Sequence, residues 1–251
     1  HISHFGQTIC CMIRRAFLGQ RCIPASLRYY RIASMSLKAI SSKDAASLDK
    51  DLMEIGGWSL DQLMELAGLS VSQAGGDGLV AARHLAQYGY TPSIYYPKEG
   101  KNVLYQRLKT QLHNLSIPFI TDSDFPTALK STTFLIDAIF GFSFGGPLRE
   151  PFPSIISQIE AAPIPVLSVD APSSWDIESG PPKEGPGAKF MPEYLISLTA
   201  PKPCVRYFQG RHFLGGRFLT KSITEKYALD LPRYPGIDQV MEVGVDTEGR
   251  L

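Results

Sequence analysis

The spacing of apolar positions changes period along the chain, and those changes mark its elements. From about Ser41 the pattern is that of a folded domain. Ser59 and Gln62 stand at capping-box spacing, and Leu60, Leu63, Met64 and Ala67 then recur on one helical face, with Gly68 as the expected stop. A second helix is predicted over 79–88, with Leu79, Ala82, Leu85 and Ala86 inward and Gly89 as its cap. Strands follow over 91–97, 117–120, 133–141, 164–174 and 194–201, with 212–220 adding a last one, and helices are predicted over 102–115 and 152–162. Such alternation predicts an α/β fold: a mostly parallel central sheet covered by helices on both faces. The segment over 179–192 is too rich in glycine and proline for regular structure and reads as a surface loop. The polar stretch after Pro232 is expected to pack poorly.

Composition narrows the class. The chain has 251 residues and a net charge of +1, with 20% charged and 44% hydrophobic residues, which is ordinary for a soluble globular protein and gives no electrostatic case for nucleic acid. No run approaches the roughly 18 apolar residues that span a bilayer, so no membrane span is expected. The charge is unevenly placed, because no acidic residue precedes Asp44. Arg14, Arg15, Arg21, Arg28 and Arg31 are interleaved there with Ile9, Met12, Ile13, Phe17 and Leu18. That pattern predicts a mitochondrial transit peptide or disordered leader over 1–36, ahead of a domain over 37–251, and Met35 offers a start for a cytoplasmic form. Cys10, Cys11 and Cys22 lie in this leader and Cys204 stands alone in the body, so neither a disulfide framework nor a cysteine zinc site has material.

Candidate chemistry sits at strand ends. Two apolar strands each finish in an aspartate followed by small residues: Asp137 in "LIDAIFG" and Asp170 in "SVDAPSS". Ligands of open parallel sheets gather outside the carboxyl ends of the strands, so both carboxylates are expected to face one crevice. Asp137 and Ser173 offer oxygen ligands that suit a hard cation. The "GGDG" turn formed by Gly75, Gly76, Asp77 and Gly78 opens a helix, the arrangement that meets a phosphate with backbone N–H groups, yet no strand is visible upstream. In "GFSFGGP", Phe142 and Phe144 alternate with small residues and form either a flap over a planar ligand or an ordinary loop folded onto the core.

Together, "DQLMELAGLS", "GGDGLVAARHL", "DAIFGFSF", "REPF", "VDAPSSWDIESG", "LISLTAPK" and "LGGRF" resemble the NAD(P)H-hydrate epimerase family, also described as apolipoprotein A-I-binding protein and as YjeF N-terminal-like, over about 37–232. The resemblance implies a Rossmann-like three-layer sandwich, usually a homodimer, that interconverts the R and S forms of hydrated NADH and NADPH. It implies a functional partner, an ATP- or ADP-dependent dehydratase, and a bound potassium ion. By the same resemblance Asp170 is the catalytic acid/base, and Asp137 and Ser173 are potassium ligands. Substrate contacts are then Gly75, Gly76, Asp77, Asp170 and the flap residues Gly141, Phe142, Ser143, Phe144, Gly145, Gly146 and Pro147.

Two departures stand out. Family members carry a strand and then Gly-Pro-Gly-Asn-Asn ahead of Gly-Gly-Asp-Gly, whereas here Ala74 runs straight into Gly75, so one asparagine ligand of the potassium is missing with the strand. An emptied central slot would leave buried N–H and C=O groups unpaired, so either the sheet re-pairs or the sequence lacks a piece. A non-catalytic nucleotide- or protein-binding relative is the alternative that this gap favours. Ser174 is the second departure, standing where the family usually has glycine. A dehydrogenase reading is weaker, because no Gly-x-Gly-x-x-Gly follows a first strand.

Overall fold

The structure, a computed structural model, describes residues 9–14, 37–74, 78–99, 102–142 and 144–243. One eight-stranded sheet runs through it in the order β3-β2-β1-β4-β5-β6-β7-β8. The strands are β1 (Ile9–Arg14), β2 (Thr91–Tyr95), β3 (Phe119–Ile120), β4 (Phe134–Ala138), β5 (Val166–Val169), β6 (Tyr194–Leu198), β7 (Arg211–Gly215) and β8 (Val240–Val243). β2 and β3 are parallel, as are β4 through β7, while β1 and β8 run antiparallel to their neighbours. The mostly parallel sheet of the sequence analysis is therefore present, with two reversed strands.

Helices cover both faces. On one side α2 (Leu60–Ala74), α3 (Gly78–Gln87) and α4 (Val103–Asn114) pack Met64, Val80, Leu85 and Leu108 against Ile136, Leu167 and Ile196 of the sheet. On the other, α5 (Phe125–Lys130) and α6 (Phe152–Ala161) bury Phe125 and Ile156 against Leu135 and Val166. A third cluster joins α1 (Ser42–Glu54) and α7 (Lys221–Lys226) through Leu48, Leu52 and Ile223, together with Trp175 and Leu195.

The missing strand has a substitute. β1 lies between β2 and β4, pairing Cys11 with Ile94 on one side and with Ile136 on the other. It comes from the segment read above as a leader, so at Ile9–Arg14 the expectation of residues outside the fold is corrected. The reason is burial on both faces. Ile9, Cys11 and Ile13 enter one core and Cys10 and Met12 the other, each at most 4% exposed. Such a strand shows a continuous apolar run rather than alternation, and the flanking arginines hide it among amphipathic signals.

Three smaller expectations change. Gly68 does not stop its helix, because α2 continues to Ala74. Its role is close approach: a Cβ there would stand 2.4 Å from Cβ of Val80, so only glycine lets α2 and α3 meet. The stretch after Pro232 contains β8, which pairs with β7 and buries Val240 and Met241. Helix α1, which the periodicity analysis leaves unassigned, is capped by the Ser41 hydroxyl accepting from the Asp44 N–H.

If β1 fills the sheet, Met12→Ala, at a position with 0% exposure, will lower unfolding free energy by about 2–5 kcal/mol. Arg14→Ala, at the exposed strand end, will change it by less than about 0.5 kcal/mol. Urea denaturation of the two variants checks this, and an unaffected Met12→Ala would place β1 outside the core.

Candidate active site

The carboxyl ends of β4, β5 and β6 open into a cavity. Its wall is largely apolar, with Leu52, Met64, Phe140 and Phe142 beside three charged side chains, Asp49, Asp170 and Lys202.

Asp170 follows β5 directly and adopts φ 67°, a left-handed conformation uncommon for residues other than glycine and concentrated at functional positions. The conformation is held by its surroundings. The Asp170 N–H donates to the Ile196 carbonyl at 2.7 Å, while its Oδ2 accepts the Phe142 N–H at 3.1 Å. Lys202 Nζ donates to Asp170 Oδ1 at 2.5 Å and to the carbonyls of Leu198 and Ala200 at 3.0 and 3.1 Å. With Lys202 only 2% exposed, a buried ammonium spends its donors on one carboxylate and two carbonyls, which is how a buried charge becomes tolerable. The ammonium also lies 5.7 Å from the Phe142 ring centroid.

Asp137 does not reach the cavity. Its carboxylate is fully buried and forms no part of that wall, so the expectation of two carboxylates facing one crevice holds for Asp170 alone. It accepts from Ser168 Oγ at 2.7 Å, from Ser173 Oγ at 2.5 Å, from the Ser173 N–H at 2.9 Å and from the Ile139 N–H at 3.4 Å. Burial pushes its pKa above the ordinary carboxylate value, and the hydrogen bonds from Ser173 and Ser168 pull it back. Among the described residues no cationic side chain pairs with it. A buried carboxylate with adjoining hydroxyl oxygens and no cation of its own has the donor chemistry of a hard-cation site. Asp137 and Ser173 are thus adjacent, as the resemblance implies.

The flap divides. Gly141 and Phe142 belong to the cavity wall. Phe144 stacks on Phe140 with centroids 4.4 Å apart, while Gly145, Gly146 and Pro147 are exposed and outside that wall. Gly75, Gly76, Asp77 and Ser143 lie outside the described residues.

Two cavity residues escaped the sequence reading, Lys202 and Asp49. Lys202 had a signal, since "LISLTAPK" places a charged residue just past a strand's carboxyl end. Asp49 had another: it follows Ala45 by four residues and Leu48 by one, on the inward stripe of α1. Further along the wall, Thr199 is pressed against the "LGG" turn, where Gly216 at φ 93° has no room for a Cβ, which would stand 2.8 Å from the Thr199 nitrogen.

Comparison with known proteins decides the family. Residues 66–204 match the family described as YjeF-related protein N-terminus. The chain belongs to this family. A relative from Aspergillus fumigatus named NAD(P)H-hydrate epimerase is 75% identical over 243 residues, spanning 86% of this chain and 100% of its own length. One of the same name from Schizosaccharomyces pombe is 52% identical over 234 residues, spanning 83% and 97%. The crystal structure of yeast ynu0, YNL200c, matches with a TM-score of 0.77 at 37% identity, covering 82% of this chain and 100% of that one.

Ser174 bears out its departure from the family's glycine. Its φ is 81° and its buried hydroxyl has no hydrogen-bond partner among the described residues. Ser174→Gly relieves both the strain and the orphaned group, offset by glycine's greater chain entropy, and a net gain of about 1 kcal/mol is expected by thermal or urea unfolding.

Proposed function

We infer that this protein is an NAD(P)H-hydrate epimerase, an isomerase that interconverts the R and S forms of hydrated NADH and NADPH at C6 of the reduced nicotinamide ring. The observation that carries this reading is Asp170, fixed in the cavity wall by Lys202 and the Phe142 N–H, in a chain 75% identical to a relative of that name.

The reaction asks little beyond proton transfer. C6 carries both the hydroxyl and the ring nitrogen, so when the hydroxyl departs as water the nitrogen lone pair forms a planar iminium. Water then adds to either face. A carboxylate that moves the proton and faces the developing cation supplies both general acid/base and electrostatic catalysis, and this reading assigns that part to Asp170. The mostly apolar wall limits competing water, and the Phe142 ring offers a flat aromatic surface to a flat cation.

Further parts of the reading rest on the resemblance. Gly75, Gly76 and Asp77, which lead into α3, contact the phosphates, together with the flap. Asp137 and Ser173 would hold a potassium ion, which would supply positive charge to the site. The asparagine lost ahead of Gly75 leaves that ion fewer ligands. The protein acts as a homodimer and feeds an ATP- or ADP-dependent dehydratase. Mitochondrial delivery is supported by the acid-free, arginine-bearing stretch before Asp44. Because β1 belongs to the sheet, a functional mature form retains Ile9–Arg14, and a form starting at Met35 is poorly stable.

Purified R-hydrate of NADH, followed by chromatographic separation of the epimers, tests the reading. Formation of the S form above the spontaneous background is expected, and Asp170→Asn is expected to lower the rate by about 10²–10⁴-fold. Absence of any rate above background sinks the epimerase reading. Potassium is tested separately: replacing sodium chloride by potassium chloride should raise the unfolding midpoint of this chain and leave that of Asp137→Asn unmoved.

A further inference from the structure

We propose that Asp49 is a second proton-carrying group of this site, releasing the substrate hydroxyl as water while Asp170 receives the proton of the water that adds. The proposal rests on the epimerase reading and extends it to a residue on α1.

The geometry is built for the task. Asp49 stands in the same cavity wall as Asp170 and Lys202. Its helix is fastened to neighbouring elements at three points. The Ile40 N–H, just before α1, donates to the Pro201 carbonyl at 2.9 Å, beside Lys202. Ser42 Oγ donates to the Phe142 carbonyl at 3.1 Å, on the flap. Farther along the helix Asp51 accepts Lys226 Nζ at 2.6 Å and Tyr227 Oη at 2.5 Å, from α7 and the residue that follows it. Asp51 and Asp49 are neighbours with opposite uses. Asp51 is an anchor held below the ordinary carboxylate range, chiefly by its hydrogen bond from Lys226. Asp49 accepts no hydrogen bond among the described residues and is directed to the cavity.

Its charge environment agrees. Burial pushes the Asp49 carboxyl up to about 7, with Lys202 pulling down and Asp170 pushing further up. Tyr227 also feels the Asp49 charge. A carboxyl that is half protonated near neutrality is suited to give a proton.

The step balances. The C6–O bond breaks with its electron pair going to oxygen, which takes the proton of Asp49 and leaves as water. The ring-nitrogen lone pair forms the iminium bond. A second water adds at C6, the iminium pair returns to nitrogen, and Asp170 accepts the released proton. Nothing is oxidised or reduced, and one proton has moved from Asp49 to Asp170. It returns through solvent, or through turnover in the reverse direction with the two roles exchanged.

The experiment is the pH profile of R-to-S conversion, corrected for the spontaneous rate. Protonated Asp49 is present below about 7 and lost above it, so the wild-type kcat is expected to fall as pH rises through that value. Asp49→Asn should lower kcat by about 10²-fold, keep KM within about threefold, and remove the falling limb from what remains. Asp49→Glu should restore part of kcat and bring the limb back. A variant Asp49→Asn with wild-type kcat, or one that keeps the falling limb, overturns the proposal while leaving the epimerase reading intact. Should that variant fail to fold, a wild-type profile flat between about pH 6 and 8 overturns it equally. A wild-type chain without activity removes the epimerase reading and this proposal with it.

Discussion

A strand position in the middle of a sheet covered on both faces cannot stand empty. Each flanking strand would hold a row of N–H and C=O groups with neither water nor partner, and the loss per group is comparable to that of a hydrogen bond. Here the position between β2 and β4 is filled by Ile9–Arg14 running in reverse. Direction matters less than occupancy, because an antiparallel ladder satisfies the same groups. Side-chain matching matters as well: five consecutive apolar residues send three side chains to one core and two to the other.

The topology explains why the gap is tolerated. Helices α2 and α3 lie on the same face of the sheet, contributing Met64, Val71, Leu79 and Val80 to one core. A strand between them departs from that face and returns to it, so its loss lets one helix follow the other without crossing the sheet. Gly68 permits the closeness that this connection needs. The vacated position then has to be supplied from elsewhere in the chain, and the segment ahead of α1 supplies it.

Much of this was legible in residue order. The alternation of strands and helices gave the parallel core, and Asp137, Asp170 and Ser173 were identified by their place after apolar strands. Ser174 was recognised as misplaced in its turn. What escaped notice did so for physical reasons. β1 is buried on both faces, so its pattern carries no alternation to separate it from an amphipathic leader. Asp137 and Asp170 look alike in sequence, and only the packing of Ser168 and Ser173 around Asp137 shows that it is sealed while Asp170 is not. Lys202 and Asp49 were missed because their importance lies in proximity across the chain: one leaves β6 and the other lies on α1, about 150 residues earlier.

The two halves of the molecule therefore carry different burdens. The cavity draws on α1, α2, the ends of β4, β5 and β6 with residues that follow them, and Phe218 beyond β7, and among the described residues none of its lining belongs to β1. The parallel register from β4 to β7 is complete, with Asp137 opposite Ser168 and Val169 opposite Ile196. Reversal of β1 thus leaves the cavity wall in place: the strand borders that wall where Ile9 pairs with Ala138, and beside it Cys10 pairs with the sealed Asp137. Burial first, and the Asp137 charge second, hold that thiol well above its usual pKa, so it stays neutral and adds no second anion beside the sealed carboxylate.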